Sequence, residues 1–176
     1  MQFLEWLQSW PFSEWVQVSE WGFPMLLSFH SIGLAAVVGI IVMLDARILG
    51  FAKSFPISTF ANLMPIAWLG FFVNFVSGTL LFAADATRLV TNWPFLLKMA
   101  CVAVGIATAW ITSRELNFPA YQHASLADAA DMGEPAPTRK LKAVAIASLL
   151  IWTLALIGGR LIAYIADHDH MFKVNF

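Results

Sequence analysis

Charge is what this sequence has least of. Only 12% of its 176 residues are Asp, Glu, Lys or Arg, and the formal net charge is −1. Soluble domains carry about a quarter charged residues. Such a chain offers no basic face to nucleic acid. Cysteine is nearly absent: Cys101 stands alone, which excludes an intramolecular disulfide and any multi-cysteine metal centre. The opening MQFLEWLQSWPFSEWVQVSEW has no Lys or Arg and three Glu. It lacks the basic start of a signal peptide and is expected to belong to the mature protein. A Gly-rich phosphate loop, a nucleophile–base pair and a carboxylate dyad are all missing, so neither hydrolysis nor group transfer is indicated. Repeats and broken helices, the marks of a transporter, are missing too.

What the chain has is apolar length. Hydrophobic residues make up 60% of it and concentrate in four runs, at residues 23–44, 60–84, 94–111 and 143–166. A bilayer core takes about 20 apolar residues per helix, so each run is predicted to span. The expected fold is all-α, a four-transmembrane-helix bundle with an amphipathic interfacial N-terminal helix. Residues 1–22 form that interfacial segment, with Trp6, Trp10, Trp15 and Trp21 spaced among Glu and Gln at headgroup level. Residues 23–166 form the membrane domain, 112–142 a polar loop and 167–176 a tail.

Orientation follows the basic residues. Arg47, Lys53, Arg114, Arg139, Lys140 and Lys142 fall in the first and third loops, against Arg88 and Lys173 on the other side. The excess puts those loops in the cytoplasm and both termini in the periplasm of a bacterial inner membrane.

Ionisable residues inside a span are costly and mark functional sites by default. His30 lies about 10 Å into the first span at ~1.5 Å per residue. Lys98, Asp85 and Arg160 are expected at the same, periplasmic level. Small and polar residues form stripes: Gly70, Asn74, Ser77, Gly78 and Asp85 in the second span; Lys98, Cys101, Gly105, Thr108 and Thr112 in the third. Thr153, Arg160 and Tyr164 share a face of the fourth beside Gly158 and Gly159. Close helix packing accounts for most stripe members. Arg160 calls for a carboxylate, and Asp85 is the expected partner. The alternative partner is an anionic or polar head group: a haem propionate, a quinone carbonyl or a lipid phosphate. His30, Arg160, Lys98, Asp85 and Tyr164 are therefore the candidate cofactor-binding residues. Asp45 and Arg47, followed by Gly50, read as an interfacial stop with a local ion pair or cap.

His30 is also a candidate metal or haem ligand. A six-coordinate haem takes two axial ligands, and no second histidine lies in a span, so haem calls for Met25 or another residue as the second ligand, a tail histidine folding inward, a ligand from another chain, or a five-coordinate site. In the tail ADHDHMF, His168 and His170 offer a weak transition-metal motif.

The run HSIGLAAVVGIIVMLDARILG resembles the first span of a family of uncharacterised bacterial four-helix membrane proteins, in which a histidine precedes small residues and an Asp-x-Arg-x-x-Gly ending. SGTLLFAADATR, WPFLLKMA and IGGRLIAYI extend the resemblance over residues 23–165. It implies family-type roles for His30, Asp45, Arg47, Gly50, Gly78, Lys98, Gly159 and Arg160, and names no activity. The family is loosely similar to copper-resistance D and cytochrome b561-like bundles, from which this chain departs by lacking their several intramembrane histidines.

Two functions follow as expectations. The first is a non-catalytic membrane subunit, an anchor or accessory piece of an electron-transfer complex, among lipids and other membrane subunits or in a homo-oligomer. Its polar cluster would hold a lipid, quinone or cofactor head group. The second is a small b-type haem cytochrome with His30 as an axial ligand.

Overall fold

The computed structural model describes residues 2–116 and 136–173, with the backbone alone for residues 61, 163 and 165–173. The described residues form helices throughout: α1 (Gln2–Gln8), α2 (Pro11–Val18), α3 (Gly22–Leu49), α4 (Ile57–Ala61), α5 (Met64–Ala84), α6 (Ala86–Leu89), α7 (Trp93–Leu116) and α8 (Arg139–Lys173). Four stretches are long and apolar enough to cross a membrane: Gly22–Leu49, Ile57–Ala84, Trp93–Leu116 and Arg139–Ile162. The protein is a multi-pass membrane bundle.

The spans outrun the apolar runs that predict them. Hydropathy ends the first at Leu44, yet α3 continues through Asp45 and Arg47 to Leu49 and stops at Gly50, whose φ of 106° only glycine adopts cheaply. The helix thus ends at Gly50 and not at Asp45 or Arg47. Both side chains are buried inside the bundle. Backbone hydrogen bonding continues a helix past a charged residue whenever a neighbouring helix covers it. The second span does the reverse and breaks in two, where Asn62 and Leu63 separate α4 from α5 and Pro65 enters the first turn of α5.

Two helix pairs make the bundle. Helices α3 and α5 cross at Gly33 and Gly70. A Cβ on Gly33 would lie 2.7 Å from both Gly70 O and Asn74 N, and one on Gly70 would lie 2.7 Å from Ala36 Cβ. Backbones can approach that closely only where side chains vanish. The second pair is α7 with α8. Cys101, Gly105, Thr108 and Thr112 are buried on α7, and Leu141, Ala145, Ser148, Trp152 and Ala155 on α8. Both sets alternate steps of three and four, the seam of a left-handed helix pair. Trp152 fills the notch at Gly105, where a Cβ would meet its ring at 2.9 Å. Val37, Val38 and Ile41 of α3 join this pair in one apolar layer with Cys101, Ala109, Trp152 and Ala155.

The N-terminal segment folds as two helices rather than one. They dock where α5 meets α6: Gln17 Nε2 donates to Ala84 O (2.8 Å) and Thr87 Oγ1 to Gln8 Oε1 (3.0 Å). Val16 packs with Leu26 and Ala84. Trp6, Trp10, Trp15 and Trp21 are exposed.

Candidate functional site

The His30 ring sits where α3, α5 and α7 converge, about 12 Å along α3 from Gly22. Its Nδ1 lies 3.0 Å from Asn74 O and 3.3 Å from Ser77 Oγ. A carbonyl only accepts, so Nδ1 carries the hydrogen and donates it to Asn74 O. In return Asn74 Nδ2 donates to His30 O at 2.7 Å. The two residues clasp one another across the α3–α5 crossing, each using a side-chain donor on the other's backbone carbonyl. Ser77 Oγ already donates to Val73 O (2.7 Å) within its own helix, which leaves its lone pairs facing the ring.

Room for the ring comes from a glycine. A Cβ on Gly78 would stand 2.9 Å from His30 Cε1 and 3.2 Å from Nδ1. Gly70, Asn74, Ser77 and Gly78 share one face of α5 at i, i+4, i+7 and i+8. That face therefore does two jobs: Gly70 lets α3 approach, and the next two turns receive the imidazole.

With Nδ1 donating, Nε2 presents a lone pair, and Lys98 Nζ stands 3.5 Å from it. Lys98 enters from α7, about 7.5 Å past Trp93. Its stem runs over Gly158 and Gly159 of α8. A Cβ on Gly158 would be 3.5 Å from Lys98 Cβ, and one on Gly159 3.8 Å from Lys98 Nζ. Those are ordinary contacts, so neither glycine is sterically compelled. All four long helices thus contribute to one half-buried centre: His30, Asn74 with Ser77, Lys98, and the Gly158–Gly159 shelf.

Several expected members lie elsewhere. Asp85 is not the partner of Arg160; it pairs with Arg88 one turn on, through both Nε and Nη2 of the guanidinium. Local reach explains the difference, since residues three apart on a helix are neighbours before any tertiary packing. Arg160 is exposed and makes no ion pair among the described residues. Tyr164, 67% exposed, also points away, as does Thr153. The Thr153–Arg160–Tyr164 face of α8 turns outward because the Gly105 notch takes Trp152 and so sets the rotation of α8. At the end of a span, Arg160 can snorkel to the interface. Asp45 and Arg47 are at the opposite end of the bundle, where Arg47 Nε donates to Phe55 O (2.5 Å). The side chains of His168 and His170, and all of His123, lie outside the described residues.

Asn74 is the member that residue-by-residue reading undervalues. It is visible in the α5 stripe, and an amide inside a span needs a partner, but a stripe alone assigns it to packing. Its offset from Gly70, one turn away at the closest helix approach, is the signal that could have singled it out.

The centre does not fit haem as it stands. The nitrogen that would meet iron is the one Lys98 faces. Met25, five residues earlier on the same helix, projects about 140° away around the helix axis at 100° per residue, and is exposed. It cannot be the ligand on the opposite face of a macrocycle. Among the residues whose side chains are described, His30 is the sole histidine and no group of three His, Cys, Asp or Glu is placed to hold a metal. What the arrangement offers chemically is directed hydrogen bonding inside the bundle: an ammonium with donors to spare beside an oriented neutral imidazole edge.

No family model, no curated protein and no solved structure matches this chain.

Proposed function

We propose that the protein is a non-catalytic membrane subunit, an anchor or accessory piece of an electron-transfer complex in the bacterial inner membrane, with both termini periplasmic. In this reading the His30–Lys98 centre receives the head group of an amphiphile from the periplasmic leaflet. The observation that carries it is Lys98. Its Nζ has no carboxylate partner among the described residues, and its hydrogen-bond partner, His30 Nε2, brings no negative charge. An ammonium carries three donors, and one placed several ångströms inside a span needs further acceptors. A phosphate or carbonyl oxygen supplies them. Lipid phosphate and quinone carbonyl are the two sources that a bacterial membrane provides.

A subunit role is supported by what surrounds the centre. The described residues contain no nucleophile–base pair near it, and the face turned to the membrane is continuous apolar surface including Ile66, Leu69, Phe72 and Phe75. The exposed aromatic face of α1 and α2 would seat the protein at the periplasmic interface or against a partner's edge.

The test is extraction. Protein purified in a mild detergent is analysed by native mass spectrometry, and its bound amphiphiles are identified after solvent extraction. A stoichiometric phospholipid or quinone, lost in a folded Lys98→Met variant, supports the head-group site. Equal amphiphile content in both proteins would sink it. Cross-linking in intact membranes tests the subunit claim separately, and a chain that cross-links to nothing but itself would refute that half.

A further inference from the structure

The four long helices close three sides of a square and leave the fourth to side chains. Helix α3 packs on α5 and on α8, and α8 on α7, while α5 and α7 share no comparable interface among the described residues. Rings bridge them instead. Phe82 of α5 stacks on Phe95 of α7, with centroids 5.5 Å apart and planes 13° from parallel. Further along the seam, Trp68 of α5 meets Trp110 of α7 edge to face at 6.4 Å. At ~1.5 Å per residue these two clasps lie about 21 Å apart along α5 and about 22 Å along α7.

Both functional features of the interior lie on this seam. Trp68, Phe71, Phe75, Gly78 and Phe82 follow the spacing of one helix face. Gly78 is the member of that stripe without a ring, and it is the residue that admits His30. Gly78 is one turn from Phe82, and Lys98 one turn from Phe95, so the His30–Lys98 centre sits one turn inside the first clasp. At the second clasp is a cleft with about 240 Å³ of free space, part of it continuous with the outside. Trp68 and Phe71 of α5, Ile106 and Ala109 of α7, and the buried Val37 and Trp152 line it, and no polar atom faces it.

The separation of the two features and the charge at one of them name the occupant. Lys98 is about 12–16 Å from Ile106 and Ala109 along α7. Half of a hydrocarbon core about 30 Å thick is about 15 Å, the depth that one acyl chain fills. At the other end, the Lys98 ammonium has no carboxylate partner among the described residues. A phosphate carries the opposite charge and accepts short, charge-assisted hydrogen bonds, whereas a quinone carbonyl is neutral.

We infer that the α5–α7 seam holds one phospholipid, with its phosphate on Lys98 and one acyl chain passing between the helices to end in the cleft at Trp68 and Trp110. The inference rests on the head-group reading above and selects phospholipid over quinone within it. Bridging rings can rotate aside where packed backbones cannot, so the chain enters sideways from the bilayer. Its end buries apolar surface against Val37 and Trp152.

The test uses the whole protein in phosphatidylglycerol nanodiscs, part of the lipid carrying a diazirine near the end of one acyl chain. After irradiation, adducts are mapped by peptide mass spectrometry, and phospholipid retained in mild detergent is counted by native mass spectrometry. The expected result is adducts on Val37 and Trp152, 5% and 2% exposed, which a lipid on the outer surface does not reach. In folded Lys98→Met, those adducts and the retained phospholipid should both fall about tenfold, the loss of one hydrogen-bonded charge. Ala109→Leu fills the cleft and should remove the two adducts while the phospholipid count holds. The wild-type map stands whether or not that variant folds. Adducts confined to outward side chains such as Leu69 and Phe72, with the count still falling in Lys98→Met, overturn the seam and spare the head-group reading. A stoichiometric quinone and no phospholipid in protein extracted from its own membrane does the same. Adducts and a count that persist undiminished in Lys98→Met overturn both.

Discussion

The His30 ring occupies the space that a β-carbon at position 78 would need: 2.9 Å separates that carbon from His30 Cε1. Imidazole and glycine are on different helices, 48 positions apart in the chain. Each makes sense only through the other. A histidine in a span needs a cradle, and α5 makes one by omitting a side chain next to the two groups that hydrogen-bond the ring.

Gly78→Ala should therefore displace the ring and strain the α3–α5 crossing, at a cost of about 1–3 kcal/mol for overpacking. Thermal unfolding in detergent checks it. Gly159→Ala is the control, because its new methyl would meet Lys98 at an ordinary 3.8 Å, and it should leave the melting temperature nearly unchanged. Equal losses in both would show that the glycines act through the backbone and not through the ring.

Gly33→Val should be worse than either. The added atoms collide with the backbone of Gly70 and Asn74, starting at 2.7 Å, and backbone cannot rotate aside as a side chain can. The expected outcome is a protein that fails to assemble α3 on α5. Size-exclusion chromatography and helix–helix cross-linking between cysteines placed in α3 and α5 give the readout.

Asn74→Leu removes the amide donor to His30 O but keeps the backbone carbonyl that accepts from Nδ1. One intramembrane hydrogen bond is worth about 0.6–2 kcal/mol. The variant should be destabilised by an amount in that range and should keep the ring in place. Ring placement is followed by the imidazole nitrogen chemical shifts of the protein labelled at histidine. Shifts that change as much as those of a Ser77→Ala, Asn74→Leu double variant would contradict it.

Lys98→Met keeps the stem over Gly158 and Gly159 and deletes the charge. Compared after delipidation, the variant should be as stable as the wild type or more so, since a buried cation is replaced by an apolar chain of similar length, and in lipid-retaining preparations its bound amphiphile is lost. A large drop in melting temperature would instead make Lys98 a structural partner of His30.

An absorption spectrum, oxidised and dithionite-reduced, should be featureless, because Lys98 faces the nitrogen that iron would need. A sharp reduced α-band with stoichiometric iron would require the Lys98 side chain to swing off the ring and a second chain to supply the other axial ligand.

The amino-acid order by itself determined the class of molecule: four apolar runs too long for anything but membrane spans, Trp-rich residues at one end, and a small-and-polar face on each of the second and third spans. Those properties are local, carried by hydropathy and by the 3.6-residue period, and so can be counted along the chain. Which polar groups meet is a different kind of fact. Asp85 and Arg160 look complementary by depth, yet depth says nothing of rotation about a helix axis. The Gly105 notch captures Trp152, which turns Arg160 outward, while Arg88 is already within reach of Asp85. Asp45 resembles a terminating charge until α8 lays Ser148 against it and the helix runs on. Helix rotation is set by the fit of large side chains into gaps left by small ones on another helix, and that fit exists only once the helices are packed together.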